Sequence, residues 1–301
     1  VLLEDDLRKM IIGLKNAIQF KITKLFDTYS RELRSLLIPE FHSSVNEVII
    51  VPGGVLGTLP FEALKKDKFL LEEVAIGYDY SATLFTSRKK QVDFQDPKIM
   101  LVAPVDFKEN ETQMSSLPAT KEEVKEIRYL FMGTDCVPET KQGRAASESI
   151  IKSADLGTYK FLHFATHGIV DEDTPELSRL FLSPDANEDG SLYTGEIYNL
   201  KLNAELVTLS ACETGLGKVA KGEGIVGLSR ALQYAGANNL VVSLWQVADR
   251  STSDMMVAFY KAITTYQQSY AYALRSAKLQ LLESEKYNEP YYWAPFILIG
   301  N

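Results

Sequence analysis

A cysteine and a histidine stand at the ends of two stretches of the same form. Residues 204–217 read AELVTLSACETGLG, an apolar run that closes in small residues and glycine, and Cys212 sits where the run gives out. Residues 159–168 read YKFLHFATHG and deliver His167 and Gly168 in the same way. Short apolar runs with β-branched members, closed by glycine, predict buried strands that stop at loops. Side chains at the strand ends of an α/β sheet open into the ligand crevice. A thiol is mostly protonated at neutral pH, but an adjacent histidine can hold it as thiolate, with pKa values down to about 3–4. The thiolate attacks a carbonyl carbon and the histidine protonates the leaving amine. The plain alternative for Cys212 is a buried thiol acting as a small hydrophobe.

Three other arrangements share these letters. His163 and His167 have the four-residue spacing of the HExxH zinc pair. That pair needs a helix, whereas on a strand such positions lie about 13 Å apart. No third ligand is evident, so no metal is expected, and His163 is read as a core or supporting residue. GEGIVG at 222–227 matches GxGxxG by letter. A dinucleotide site needs the strand to run straight into those glycines, and here several residues intervene, so no cofactor is expected either. Ser210 lacks a serine-elbow motif.

HFATHG followed by LSACETGLG resembles the CHAT family, a caspase-like domain often found after tetratricopeptide repeats. VIIVPGGVLGTLPFEAL, LVVSLWQVAD and YYWAPFILIG are similar to family segments and stand in family order, so the resemblance runs from about Tyr29 to the last residue. His167 precedes Cys212 by about 45 positions, which is also the order of caspase-type proteases. The resemblance implies a caspase/separase-type fold, a His167–Cys212 dyad, and the backbone N–H groups of Gly168 and Cys212 as oxyanion donors. Glycine at 168 suits a substrate that must approach the backbone closely. It further implies that the substrate adds as an antiparallel strand beside SLWQV at 243–247, next to Ser243 and Trp245. Trp245 as a core residue is the alternative. LWQVAD is similar to the LWDVTD-like stretch of separases, which implies that Asp249 accepts a P1 arginine. Gln246 and Ala248 depart from that stretch. Asp249 and Ser251 capping the following helix is the competing reading. The expected function is a cysteine endopeptidase cleaving after Arg or Lys; the alternative is a catalytically silent caspase-like interaction domain. The expected partners are a protein or peptide substrate and, as the resemblance implies, an upstream tetratricopeptide-repeat module or activating partner.

The expected fold is α/β: a largely parallel sheet flanked by helices in residues 96–301, preceded by a smaller helical and α/β subdomain in 1–95. Residues 3–36 carry an apolar stripe at steps of three and four, one helix or two. Besides the two strands that run to His167 and Cys212, strands are expected at 48–51, 70–78, 99–103, 240–244 and 296–299. PDANEDG is expected to join a hairpin. Thr120 and Glu123 form a capping-box pattern, and Ser147 a further cap. Residues 139–146 and 214–222, with Lys141, Arg144, Lys218 and Lys221, are read as loops open to nicking.

The 301 residues are 46% hydrophobic with net charge −8, a size and composition that support a sizeable core. The acidic balance argues against nucleic acid or an acidic membrane as partner. Two cysteines without paired spacing argue for a reducing compartment, the cytoplasm. No run approaches the length of a spanning helix and no signal peptide is visible. The chain begins with Val1, which predicts a fragment.

Overall fold

The computed structural model describes residues 4–87, 94–107, 114–171, 173–210, 213–214 and 224–300. The N-terminal apolar stripe folds as two helices, α1 (Glu4–Gln19) and α2 (Thr23–Leu37), which break at Lys21, a residue with φ of 55°. β1 (Glu47–Ile50), α3 (Leu70–Glu73), β2 (Ala75–Tyr78) and α4 (Ala82–Ser87) follow. The expected strand at 70–78 is therefore half helix. Leu-Leu-Glu-Glu favours helix, and the Glu72 carboxylate accepts the Phe69 N–H at 2.7 Å to start the turn.

The remainder alternates strands and helices: β3 (Lys98–Ala103), α5 (Ala119–Phe131), β4 (Val137–Gln142), α6 (Glu148–Ser153) and β5 (Phe161–Phe164). Then come β6 (Gly168–Val170), β7 (Arg179–Phe181), β8 (Ser191–Tyr193), α7 (Thr194–Ile197), β9 (Leu206–Leu209), β10 (Glu213–Thr214) and α8 (Gly224–Ala235). The chain closes with β11 (Asn239–Ser243), α9 (Asp249–Thr264), α10 (Tyr270–Leu282), α11 (Pro290–Trp293) and β12 (Phe296–Ile299). β5, β9, β11 and β12 are buried at every position, the near-continuous apolar pattern of strands covered on both faces.

The strands form an eight-stranded sheet in the order β1-β2-β12-β11-β9-β5-β3-β4 and a four-stranded sheet β10-β6-β7-β8. The large sheet is parallel except between β11 and β12. From β3 the chain steps outward to β4, then returns to β5 and proceeds the other way through β9 and β11. The order thus reverses between β3 and β5, and the crevice beyond the carboxyl ends of strands at such a switch is where open α/β sheets bind ligands. The expected hairpin is present as antiparallel β7 and β8. Gly190, at φ 85°, closes its turn, and an added Cβ would lie 2.6 Å from the Leu182 carbonyl oxygen.

β2 pairs with β12, and one apolar cluster runs from Met10 to Ile299. A buried ion pair adds to that continuity. Lys278 Nζ lies 2.6 Å from the Glu62 carboxylate, whose other oxygen accepts the Tyr78 hydroxyl at 2.5 Å. Residues 139–142, read as a loop, belong to edge strand β4, and 143–145 form a 3-10 turn; the Lys218–Lys221 segment lies outside the described residues. Glu123 does not close a capping box, because its carboxylate is buried and bonds instead to His163. Ser147 does cap its helix, its hydroxyl accepting from Ile150 N.

Candidate active site

His167 stands three residues beyond the end of β5, at the switch between β3 and β5. The main chain there is tied on both sides: Ala165 N–H donates to the Val102 carbonyl of β3 at 2.8 Å, and Phe181 N–H donates to the His167 carbonyl at 2.9 Å. The Thr166 hydroxyl donates to the Phe181 carbonyl. The His167 ring is almost fully buried. Its Nε2 lies 2.8 Å from the carbonyl oxygen of Ser115, and the Phe107 ring meets it edge-on with centroids 4.7 Å apart. A carbonyl only accepts, so Nε2 carries the proton and Nδ1 is the basic nitrogen of the neutral ring. Ser115 and Phe107 both come from the connection between β3 and α5. Sequence reading did not find the Ser115 carbonyl; main-chain oxygens leave no mark on residue type.

Cys212 lies outside the described residues, but the residues flanking it are paired. Leu209 of β9 is opposite Phe164 of β5, and Ser210 N–H donates to the Phe164 carbonyl at 3.0 Å. Beyond the gap, Glu213 is opposite Ile169 and Thr214 opposite Val170, again in parallel register. The chain on either side of position 212 therefore runs beside the chain on either side of position 167. Gly168 opens β6 opposite Leu180 and is buried.

Asp249 is the first residue of α9 and half-buried. One of its carboxylate oxygens accepts the Ala119 N–H, the first of α5, at 2.7 Å. Burial pushes its carboxyl above the ordinary aspartate value. The Ala119 N–H and the nearby His167 pull it back, while Glu123 adds to the rise. Asp249 thus caps a neighbouring helix rather than its own, and lies within the field of His167. Ser251, in the first turn of α9, donates its hydroxyl to the Ala248 carbonyl at 2.9 Å, and no side chain caps that helix.

Ser243 is the last residue of β11, and Trp245 follows two positions on. Both are buried. The Ser243 hydroxyl donates to the Trp245 carbonyl at 3.1 Å and Trp245 Nε1 to the Tyr291 carbonyl at 3.2 Å, so their polar atoms are turned to protein. Within 243–247 only Gln246 and Val247 are partly exposed.

His163 and His167 turn their Nε2 atoms to different partners. His163 Nε2 lies 2.7 Å from the Glu123 carboxylate in the core, its ring edge-on to Tyr260, while His167 faces Ser115. Among the described residues, the carboxylates that converge are those of Glu148, Glu188 and Glu196. Lys152 Nζ already supplies the cation there, at 2.7, 3.0 and 2.5 Å. The GEGIVG stretch begins outside the described residues and runs into α8. Ser210 is buried, with no hydrogen-bond partner for its hydroxyl among the described residues.

Solved structures of known proteins share this architecture. The complex of Porphyromonas gingivalis RgpB pro- and mature domains superposes with a TM-score of 0.57 at 9% identity, over 99% of this chain and 76% of that one. The Arg-specific cysteine proteinase gingipain R superposes at 0.54 and 10% identity, over 92% and 67%. The Saccharomyces cerevisiae separase–securin complex matches at 0.50 and 14% identity, over 81% of this chain and 14% of that one. The fold is therefore the caspase-like one of these cysteine peptidases. Among curated proteins, tetratricopeptide repeat protein 28 is 30% identical over 129 residues in Mus musculus and over 137 in Homo sapiens. Those matches take in 43% and 46% of this chain, which spans only 5% of the length of either relative. The CHAT domain profile matches residues 22–301, and on that match, with its caspase-like sheet, the chain belongs to the CHAT domain family.

Proposed function

We propose that this chain is a cysteine endopeptidase whose nucleophile is Cys212 and whose acid–base is His167, cleaving after a basic residue. The observation that carries the reading is His167 held by its Nε2 on the Ser115 carbonyl at the sheet's switch point, with the strands flanking position 212 running alongside. Anchoring Nε2 leaves Nδ1 to accept the thiol proton and later return it to the leaving amine, since a third group that orients the base is the general form of such dyads. The Gly168 and Cys212 N–H groups are the proposed donors to the tetrahedral oxyanion. Asp249 is the proposed partner of a P1 guanidinium, a reading also supported by the fold shared with an Arg-specific proteinase. The main chain of 245–247 is the proposed edge on which the substrate lies as a strand; the buried Ser243 and Trp245 shape that edge from beneath. A protein or peptide substrate, a tetratricopeptide-repeat module upstream and a cytoplasmic setting complete the proposal. Among the described residues no helix is long and apolar enough to cross a membrane.

The two thiols make the test selective. Cys136 is free and buried, and burial pushes its thiol up to about 12, so little thiolate exists there at pH 8. A peptidyl electrophile with P1 Arg is expected to modify Cys212 stoichiometrically and Cys136 hardly at all, read by peptide mass mapping. Equal or absent labelling of the two sites rejects the dyad and favours a silent scaffold.

A further inference from the structure

The edge proposed for substrate is bonded at two points to one residue of α11. Tyr291 of α11 accepts the Trp245 indole N–H on its carbonyl at 3.2 Å and donates its hydroxyl to the Gln246 carbonyl at 3.4 Å. Side chain 245 and main chain 246 are thus fixed by one residue. Leu244 N–H, bonded to the Pro295 carbonyl at 2.9 Å, anchors the start of the same segment.

Tyr291 is itself held by a residue from the other end of the chain. Its ring meets Tyr292 edge-on with centroids 5.1 Å apart. Lys21 Nζ lies 5.5 Å from the Tyr291 ring centre and 4.5 Å from that of Tyr292. The same ammonium donates to the Tyr292 hydroxyl at 2.9 Å and pairs with the Glu289 carboxylate at 2.6 Å. Lys21 is the turn residue between α1 and α2, in the left-handed region at φ 55°, which a non-glycine residue occupies only when its surroundings demand it. Cation–π contact, ion pair and hydrogen bond therefore converge on one residue of the α1–α2 turn. Its neighbours Phe20 and Ile22 are exposed at 70% and 46%, so the turn sits at the surface.

We propose that Lys21 is a positioning residue for the substrate edge, clasping Glu289, Tyr291 and Tyr292 so that Tyr291 holds residues 245–246 in place. Release of Lys21 loosens that edge without touching the dyad. The proposal rests on the reading of 245–247 as the substrate edge, and the test separates the two. Lys21→Met keeps the aliphatic stem and removes the cation, while Lys21→Arg keeps a cation that can lie on the rings. The side chain is 42% exposed, so both variants are expected to fold. In the intact chain, hydrogen exchange of the peptide spanning 244–248 is expected to quicken about three- to tenfold in Lys21→Met. Exchange of β9 and of the buried residues of β11 should stay at wild-type rates, and Lys21→Arg should restore protection. For peptide cleavage, Lys21→Met should raise KM by a similar factor with kcat little changed. Unchanged exchange at 244–248, or exchange quickened throughout the sheet, overturns the clasp. Quickened local exchange with unaltered KM overturns the link to substrate. A wild-type chain that cleaves nothing rejects the peptidase, and the exchange comparison still decides the clasp.

Discussion

Cys212→Ala is expected to lower peptide cleavage by about four to six orders of magnitude, and His167→Ala by a comparable factor, because the members of such a unit fail together. The two variants should differ in stability. Alanine at 212 removes one sulfur beyond the end of a strand, a small loss. Alanine at 167 removes a buried ring, its edge contact with Phe107, and the donor to the Ser115 carbonyl. Ser115 is exposed, so its carbonyl can turn to water, and the loss of stability comes mainly from the packing of the buried ring. Fluorogenic peptide turnover, read beside thermal unfolding, checks both halves. The expected pattern is an inactive Cys212→Ala protein with a near-wild-type midpoint and an inactive His167→Ala protein with a lower one. Near-normal cleavage by folded Cys212→Ala protein would falsify the peptidase reading outright.

The second large effect is expected at Asp249. A desolvated carboxylate facing a guanidinium is worth about 2–5 kcal/mol when one partner is removed, so Asp249→Ala should lose most of the preference for P1 Arg over P1 Leu. The structure supplies a rival explanation for this residue, since one of its oxygens caps α5 at Ala119, and loss of a cap alone costs about 1 kcal/mol. Asp249→Asn separates the two roles. Its amide oxygen can still accept the Ala119 N–H, but the charge is gone. In a basic pocket, Asn loses the Arg preference as Ala does; in a mere cap, Asn keeps it. The pH profile has a definite sign. Burial raises the Asp249 carboxyl in the free protein, so the Arg preference in kcat/KM, which needs the ionised form, should decline on acidification earlier than an ordinary aspartate would dictate. The same raised value means that ionisation of Asp249 opposes folding, so the chain's stability at this site falls as pH rises through its folded pKa. Equal turnover of P1 Arg and P1 Leu peptides by wild type removes the basic pocket and leaves the dyad standing.

The strands that hold the site were legible in the residue order. β5, β9 and β12 are short apolar runs that end in small or turn-forming residues, and burial on both faces is what such runs encode. The β7–β8 hairpin and the Ser147 cap were legible for the same reason: each is decided within a dozen residues by turn and cap chemistry. The CHAT resemblance rested on motifs at those same strand ends, and the family match over 22–301 agrees with it.

What the tertiary structure decided is of another kind. β4 reads VPETKQ, a polar stretch with no strand pattern, because an edge strand buries little and is specified by its neighbour β3. Glu123 suits a helix cap until His163 is folded against it, from a strand 40 positions away. The N-terminal strands join the sheet only because the last strand, β12, inserts between them and β11. Asp249 reaches the first N–H of a helix 130 positions earlier, and His167 is oriented by a main-chain carbonyl that any residue at 115 would offer. Side-chain periodicity records which face of an element is buried. It carries no record of which distant backbone group or charge will be waiting there, and those partners set the geometry of this site.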